Sequence, residues 1–134
     1  MYIRNVVPAE VAYLVHYYRD RGEQLVLASA SLKGSSFLNL VAPMLPEASK
    51  FLEHPEIKTL ITDRAEQHPI ARPWIDRGLL NKDDSILTLR LFLQDEYVGA
   101  VSFFAHGSSR FSQEHADLVA PLREPFAIVL SNSL

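Results

Sequence analysis

A single arginine interrupts a run of leucines. In the stretch Ser85–Leu93, Arg90 stands between Leu89 and Leu91. A cation on an apolar strand is rarely buried without a partner. Arg90 therefore either meets an anion, from a ligand or from a carboxylate such as Asp63, or it points to a sheet margin or makes a structural ion pair. Asp63 follows the apolar stretch 58–62, where it can contact a ligand or cap a turn. The histidines are His16, His54, His68, His106 and His115. None forms a pair four residues apart on a helix, so no metal site is expected. His68 lies in a proline-interrupted segment with the only tryptophan, Trp74, and is the histidine best placed to meet a ligand. Trp74 either lines a pocket or anchors a short helix in the core. His115 reads as a first-turn surface residue.

The chemistry that is missing narrows the choice. The chain has no cysteine, which excludes a disulfide framework, a thiolate metal site, a thioether-linked cofactor and a cysteine nucleophile. It has no GxSxG, HExxH or glycine-rich phosphate loop. With 134 residues, 48% apolar and 22% charged, it has the size and balance of one globular domain. A net charge of -3 gives no reason to expect direct nucleic-acid binding. No apolar run is long enough for a membrane span, and the first residues do not read as a signal peptide, so a cytoplasmic location is expected. Both ends look cut: residues 1–6 read as the end of a helix, and residue 134 falls inside an apolar-periodic one. A fragment of a longer protein is expected.

Positioning these residues needs a sheet. Residues 11–18 and 24–30, with turn chemistry at 20–23, read as a hairpin. Residues 33–36 read as a loop, 37–41 as a short extended piece, 46–52 as a short helix and 58–62 as a brief strand. Residues 66–80 are partly helical, broken by Pro69 and Pro73. A second hairpin joins 85–93 to 97–105 through Asp95-Glu96. By the period of two, Leu87, Leu89, Leu91 and Leu93 share one face, and Ile86, Thr88, Arg90 and Phe92 the other. On the next strand Tyr97, Val101 and Phe103 share a side, with Val98, Ala100, Ser102 and Phe104 opposite. Two largely apolar faces mean a strand covered on both sides. Ser112 caps a final helix with Glu114 in its first turn. Leu118, Leu122, Phe126, Val129 and Leu130 form its apolar stripe, and Pro121 and Pro125 should kink or break it. The order describes an α+β fold with a mostly antiparallel sheet.

The pattern Ser85-Ile86-Leu87-Thr88-Leu89-Arg90-Leu91, a turn, then Tyr97-Val98-Gly99-Ala100-Val101 resembles the signature of GAF domains, many of which have proline where Arg90 stands. Phe111-Ser112-Gln113-Glu114-His115 before an amphipathic helix, and Asp63 after the middle strand, are similar to the family too. Residues 2–9 and 122–132 further resemble GAF domains at the front of sigma-54-dependent transcriptional activators, where the sensor precedes an AAA+ ATPase and a helix-turn-helix. The residues Asn81-Lys82, Phe92 and Asp95-Glu96 have the composition of the NKFDE motif of cyclic-nucleotide GAF domains. The spacing after Phe92 is short and Asp95-Glu96 falls in a turn, so that match is accidental.

The resemblance implies a single GAF-like domain over 1–134: a central sheet of five to six strands, terminal helices on one face, and short helices and loops over a ligand pocket on the other. The residues expected to line that pocket are Asp63, His68, Trp74, Thr88, Arg90, Ser102 and Phe104. A haem or iron site is not favoured, and no cofactor can be named. The implied function is not catalytic. GAF relatives that reduce free methionine sulfoxide, and those that attach chromophores, use cysteines this chain lacks. The expected partners are an unidentified small-molecule effector, a second copy of the chain, and a downstream sigma-54-type ATPase domain, with no direct nucleic-acid or membrane contact. The competing reading is a ligand-free interaction and dimerisation module whose pocket is filled by its own side chains.

Overall fold

The computed structural model describes residues 8–18, 21–31, 34–43, 58–68, 70–78, 80–93 and 96–132. The expected helix over 46–52 and both chain ends lie outside them. The strands are β1 (Val11–Tyr18), β2 (Glu23–Ser31), β3 (Gly34–Pro43), β4 (Thr59–Thr62), β5 (Ser85–Leu93) and β6 (Glu96–Ala105), all paired antiparallel in the order β3-β2-β1-β6-β5-β4. Helix α1 (Arg72–Asp76) lies between β4 and β5; α2 (Gln113–Val119) and α3 (Arg123–Asn132) close the chain. Among the described residues no helix is long and apolar enough to cross a membrane.

The alternation read in β5 separates two cores. Leu87, Leu89 and Leu91 pack with Val101, Phe103, Ala116, Val119, Ala127 and Leu130 under the terminal helices. Ile86 packs with Val15, Val26, Ala100, Ile70 and Trp74 on the other side. From Ser85 to Leu91 every residue of β5 is buried, as expected for a strand covered on both faces. The helical end also follows its residues. Ser112 is the N-cap of α2, and its backbone N–H donates to His115 Nδ1 at 3.0 Å, so His115 fills the place a glutamate takes in a capping box. Pro121 interrupts the helix as a 3-10 turn over Ala120–Leu122. Pro125 falls in the first turn of α3, where its missing N–H would have had no partner, and the helix runs on through it.

Two expectations change. Residues 34–36 belong to β3, which pairs with β2 from Gly34 to Pro43; a sheet edge is held by backbone hydrogen bonds and needs no apolar alternation at its outer end. Tyr97 lies on the opposite face from Val101 and Phe103, in the core with Ala100. The cause is a β-bulge: Leu91 pairs with Gly99 but Phe92 with Tyr97, leaving Val98 as the extra residue. One inserted residue reverses which face every side chain beyond it meets. A second bulge sits in β2, where Leu14 pairs with Ala28 but Val15 with Val26. It turns both Leu27 and Ala28 toward the helices and leaves Ser29 facing the other way.

Gly99 is the tight point of the first bulge. A Cβ there would collide with the Val15 carbonyl oxygen and stand 2.8 Å from Leu130 Cδ2. Gly99→Ala should therefore lower the unfolding free energy by about 2–3 kcal/mol, the usual cost of overpacking a core. Urea unfolding measures this, and a variant as stable as the parent would show that the strands do not approach so closely.

Candidate functional site

Residues 65–80 form a roof over the second face of the sheet. It consists of a 3-10 turn (Ala65–Gln67) and α1, which carries proline in its first turn. Backbone bonds tie the roof to the start of β5: Ala65 N–H donates to the Asp84 carbonyl at 2.7 Å and Glu66 N–H to that of Lys82 at 3.1 Å. Ala65, Ile70, Ala71, Trp74 and Leu80 point inward and are buried. Between roof and sheet lies a cavity of about 250 Å³. Its floor comprises Tyr13, Val15 and Tyr17 of β1, Val26 and Ser29 of β2, Leu40 of β3, Ile86 of β5, and Ser102 and Phe104 of β6. Sequence reading did not find the β1 and β2 wall. The alternation of tyrosine and valine in β1 was the available signal, but it does not say which face is open.

Several polar groups around this cavity bond to one another. Gln24, fully buried, donates from Nε2 to the Ile70 carbonyl at 3.1 Å and the Pro43 carbonyl at 3.2 Å, and its Oε1 accepts from Trp74 Nε1–H at 2.8 Å. Arg77 at the end of α1 donates to the Val41 carbonyl. His68 Nδ1 accepts from the Ile70 N–H at 3.2 Å, and Nε2 lies 3.2 Å from Thr88 Oγ1. Thr88 Oγ1 is in turn 3.3 Å from Ser102 Oγ. Burial holds the His68 pKa well down, at about 4, so the ring is neutral near pH 7. Its Nδ1 is then the acceptor and its proton sits on Nε2.

Of the residues expected at the site, His68, Trp74, Ser102 and Phe104 line the cavity. Thr88 faces the same side but stands behind Ser102 and His68, wholly buried. Arg90 is further along β5, also wholly buried, with its guanidinium 3.8 Å from the centre of the Tyr97 ring and 5.6 Å from that of Phe92. A cation over an aromatic face is attracted by the ring quadrupole. The Tyr97 hydroxyl donates to that of Tyr17 at 3.4 Å, and Tyr17 lines the cavity, so among the described residues these two rings lie between Arg90 and the cavity. Burial raises both phenols' pKa values, that of Tyr97 to about 12. Asp63 is exposed and lies outside the cavity; its backbone carbonyl accepts from Ser109 N–H at 3.0 Å. Thr62 pairs with Ile86, which puts Asp63 abreast of Ser85, about 16 Å along the strand from Arg90. An Arg90–Asp63 pair is thus precluded by register. Among the described residues, no His, Asp and Glu side chains gather in a way that could hold a metal ion.

No family model matches the sequence, and no curated protein matches it. The structure has clear counterparts. It is similar to the blue-light-absorbing PixJ GAF domain of Thermosynechococcus elongatus, with a TM-score of 0.71, 13% identity, and coverage of 98% of this chain and 79% of that one. The GAF domain/HD domain protein of Geobacter sulfurreducens gives 0.63 at 15% identity, over 98% of this chain and 86% of that one. The free methionine-R-sulfoxide reductase of Neisseria meningitidis, in complex with its substrate, gives 0.64 at 10% identity, over 93% and 69%. The fold is GAF-like. At these identities the likeness concerns the fold alone, and a GAF fold shared by a photoreceptor and a reductase does not choose a chemistry. The cavity's side chains must do that.

The buried neutral His68 has a measurable consequence. Unfolded, its ring protonates near pH 6.5; folded, only near pH 4. Between those values the unfolded state binds more protons, so stability is complete above the window and falls as the pH drops through it. From pH 7 to pH 5 this amounts to about 2 kcal/mol. Urea unfolding of the parent and of His68→Gln at both pH values should show the extra loss in the parent only; equal losses would mean the ring is not buried neutral.

Proposed function

We propose that this chain is a cytoplasmic regulatory domain that binds a small molecule between the sheet and the 65–80 roof and passes the occupancy of that site to a downstream module. The observation that carries the reading is the cavity itself. Its walls are mainly apolar with a few placed polar groups, the usual make-up of a ligand site, and the side chains of the described residues do not fill it. A ligand-free interaction module would have closed that space, because unfilled apolar volume is destabilising. Sensing is favoured over catalysis because, among the described residues, the cavity wall pairs no nucleophile with an adjacent base, and the chain carries no cysteine. The resemblance of residues 2–9 and 122–132 to sensors of sigma-54-dependent activators supports a downstream ATPase as the controlled module and one domain over 1–134.

Native mass spectrometry of the protein purified from its own host should detect a retained small molecule. Adding that molecule at a hundred times its Kd should stabilise the fold by about 2.7 kcal/mol. Ala71→Trp, which fills the cavity from the roof, should abolish the response while the protein stays folded. A response unchanged in that variant would place the ligand elsewhere and overturn the reading.

The terminal helices support self-association as the output. Leu118, Ile128 and Val129 are each about half exposed on α2 and α3, at 48%, 53% and 49%, and apolar helix faces of this kind are buried in symmetric dimers. Sedimentation should show a dimer for the parent and a monomer for Leu118→Glu/Ile128→Glu. A monomeric parent, or a variant that still pairs, contradicts this role for the helices.

A further inference from the structure

We propose that the cavity selects an uncharged, largely apolar molecule of about ten non-hydrogen atoms that presents a hydrogen-bond acceptor, such as a ketone or amide carbonyl, to the Ser102 hydroxyl. This rests on the cavity being a ligand site, and it adds the ligand's class.

The size follows from the volume. A cavity of about 150 Å³ holds benzene, so 250 Å³ takes roughly ten heavy atoms. The lack of charge follows from the wall. Among the described residues lining it there is no Asp, Glu, Lys or Arg, and the one histidine is neutral. An ionised group brought in without a partner would carry a large desolvation penalty. Among the described residues, Arg90 sits over Tyr97 behind Tyr17, and Arg77 lies over the Trp74 ring with its guanidinium bonded to the Val41 carbonyl. The carboxylates of Glu10 and Asp84 line a separate recess of about 70 Å³ that borders the cavity at Tyr13, Leu80 and Phe104. There His106 lies between them, 3.8 Å from Glu10 and 3.4 Å from Asp84.

The acceptor follows from the direction of the hydrogen bonds. A backbone N–H can only donate, so the bond from Ile70 fixes His68 Nδ1 as acceptor. The neutral ring then donates from Nε2 to Thr88 Oγ1. Thr88, having accepted, is free to direct its own proton to Ser102 Oγ. Among the described residues the Ser102 proton meets no acceptor, and Ser102 lines the cavity. A backbone amide in the roof thus orients a chain of donors that ends at the ligand, and a site holding an unmatched donor favours a molecule that can accept.

Four aromatic probes of equal heavy-atom count separate the possibilities: acetophenone, α-methylstyrene, benzoate and 1-phenylethylammonium. Binding is followed by ligand-observed NMR titration. Acetophenone should bind about tenfold more tightly than α-methylstyrene, which has the same shape without the acceptor, and the two ions should bind more weakly still. Ser102→Ala should remove the tenfold preference and leave α-methylstyrene unchanged. Equal binding of acetophenone and α-methylstyrene to the parent would keep the cavity as a ligand site and overturn the Ser102 assignment. Tightest binding by benzoate or the ammonium ion would overturn the uncharged class. Failure of all four, with Ala71→Trp behaving like the parent, would overturn the ligand site itself.

Discussion

The Gln24 carboxamide, withdrawn entirely from solvent, joins parts of the chain that are far apart in sequence. It donates to the carbonyl of Ile70 in the roof and to that of Pro43 at the end of the edge strand, and it accepts the indole N–H of Trp74. The Ile70 carbonyl and the Trp74 indole N–H are buried, and leaving either without this partner would cost roughly 1–3 kcal/mol apiece. The roof's helix does not hold it by itself: α1 spans only Arg72–Asp76, too short to be stable alone, and Ala65, Ile70, Ala71 and Trp74 anchor the roof in the core with Val15, Val26 and Ile86. Its position depends on this amide, on the backbone bonds at Ala65 and Glu66, and on Arg77 reaching the Val41 carbonyl. The apolar residues beneath the roof then need not fill all the space, because polar bonds at its ends keep it from collapsing onto the sheet.

The floor depends on a different constraint, the bulges. A strand of strict alternation would put Tyr97 with the leucines under the helices. The extra residue Val98 moves it to the other face, where it supports the Arg90 guanidinium. The bulge at Leu27 likewise brings Ser29 to the cavity wall. One bulge lies in β2, which pairs with β1, and the other in β6; β1 and β6 are the two central strands. Gly99 is the residue that permits it, because backbone and Leu130 occupy the place of any side chain there.

Much of this architecture is legible in the residues. Leu87 to Leu91 announce a strand buried on both sides, Ser112 announces the last helix, and Pro121 its break. His68, Trp74, Ser102 and Phe104 could be singled out from a proline-broken segment and a mixed strand face. Other features could not. A bulge leaves no composition signal in Val98-Gly99 that distinguishes it from ordinary strand, so the face of Tyr97 was misassigned. Gln24 opens the strand read over 24–30, and its type says nothing of partners that lie 19, 46 and 50 residues away. Asp63 looked like a partner for Arg90 because both were chemically apt, whereas only strand register reveals the distance between them. Local pattern specifies elements and faces; long-range pairing specifies which polar groups meet.

Arg90 shows how these levels combine in the site. A charge in the middle of a strand suggests a charged ligand, yet the guanidinium is directed into an aromatic nest formed by Tyr97 and Phe92, with Tyr17 between it and the cavity. The cation is therefore kept from the cavity by the same bulge that placed Tyr97. What the cavity meets instead is the hydroxyl of Ser102, flanked in β6 by Val101 and Phe103, which pack against the helical side. A molecule that bonds to Ser102 pulls on a strand whose next residue in either direction touches the core beneath α2 and α3. Under the proposed sensing role, a ligand that prefers one setting of that strand would bias the terminal helices, since a packed core responds to a displaced side chain by moving its neighbours.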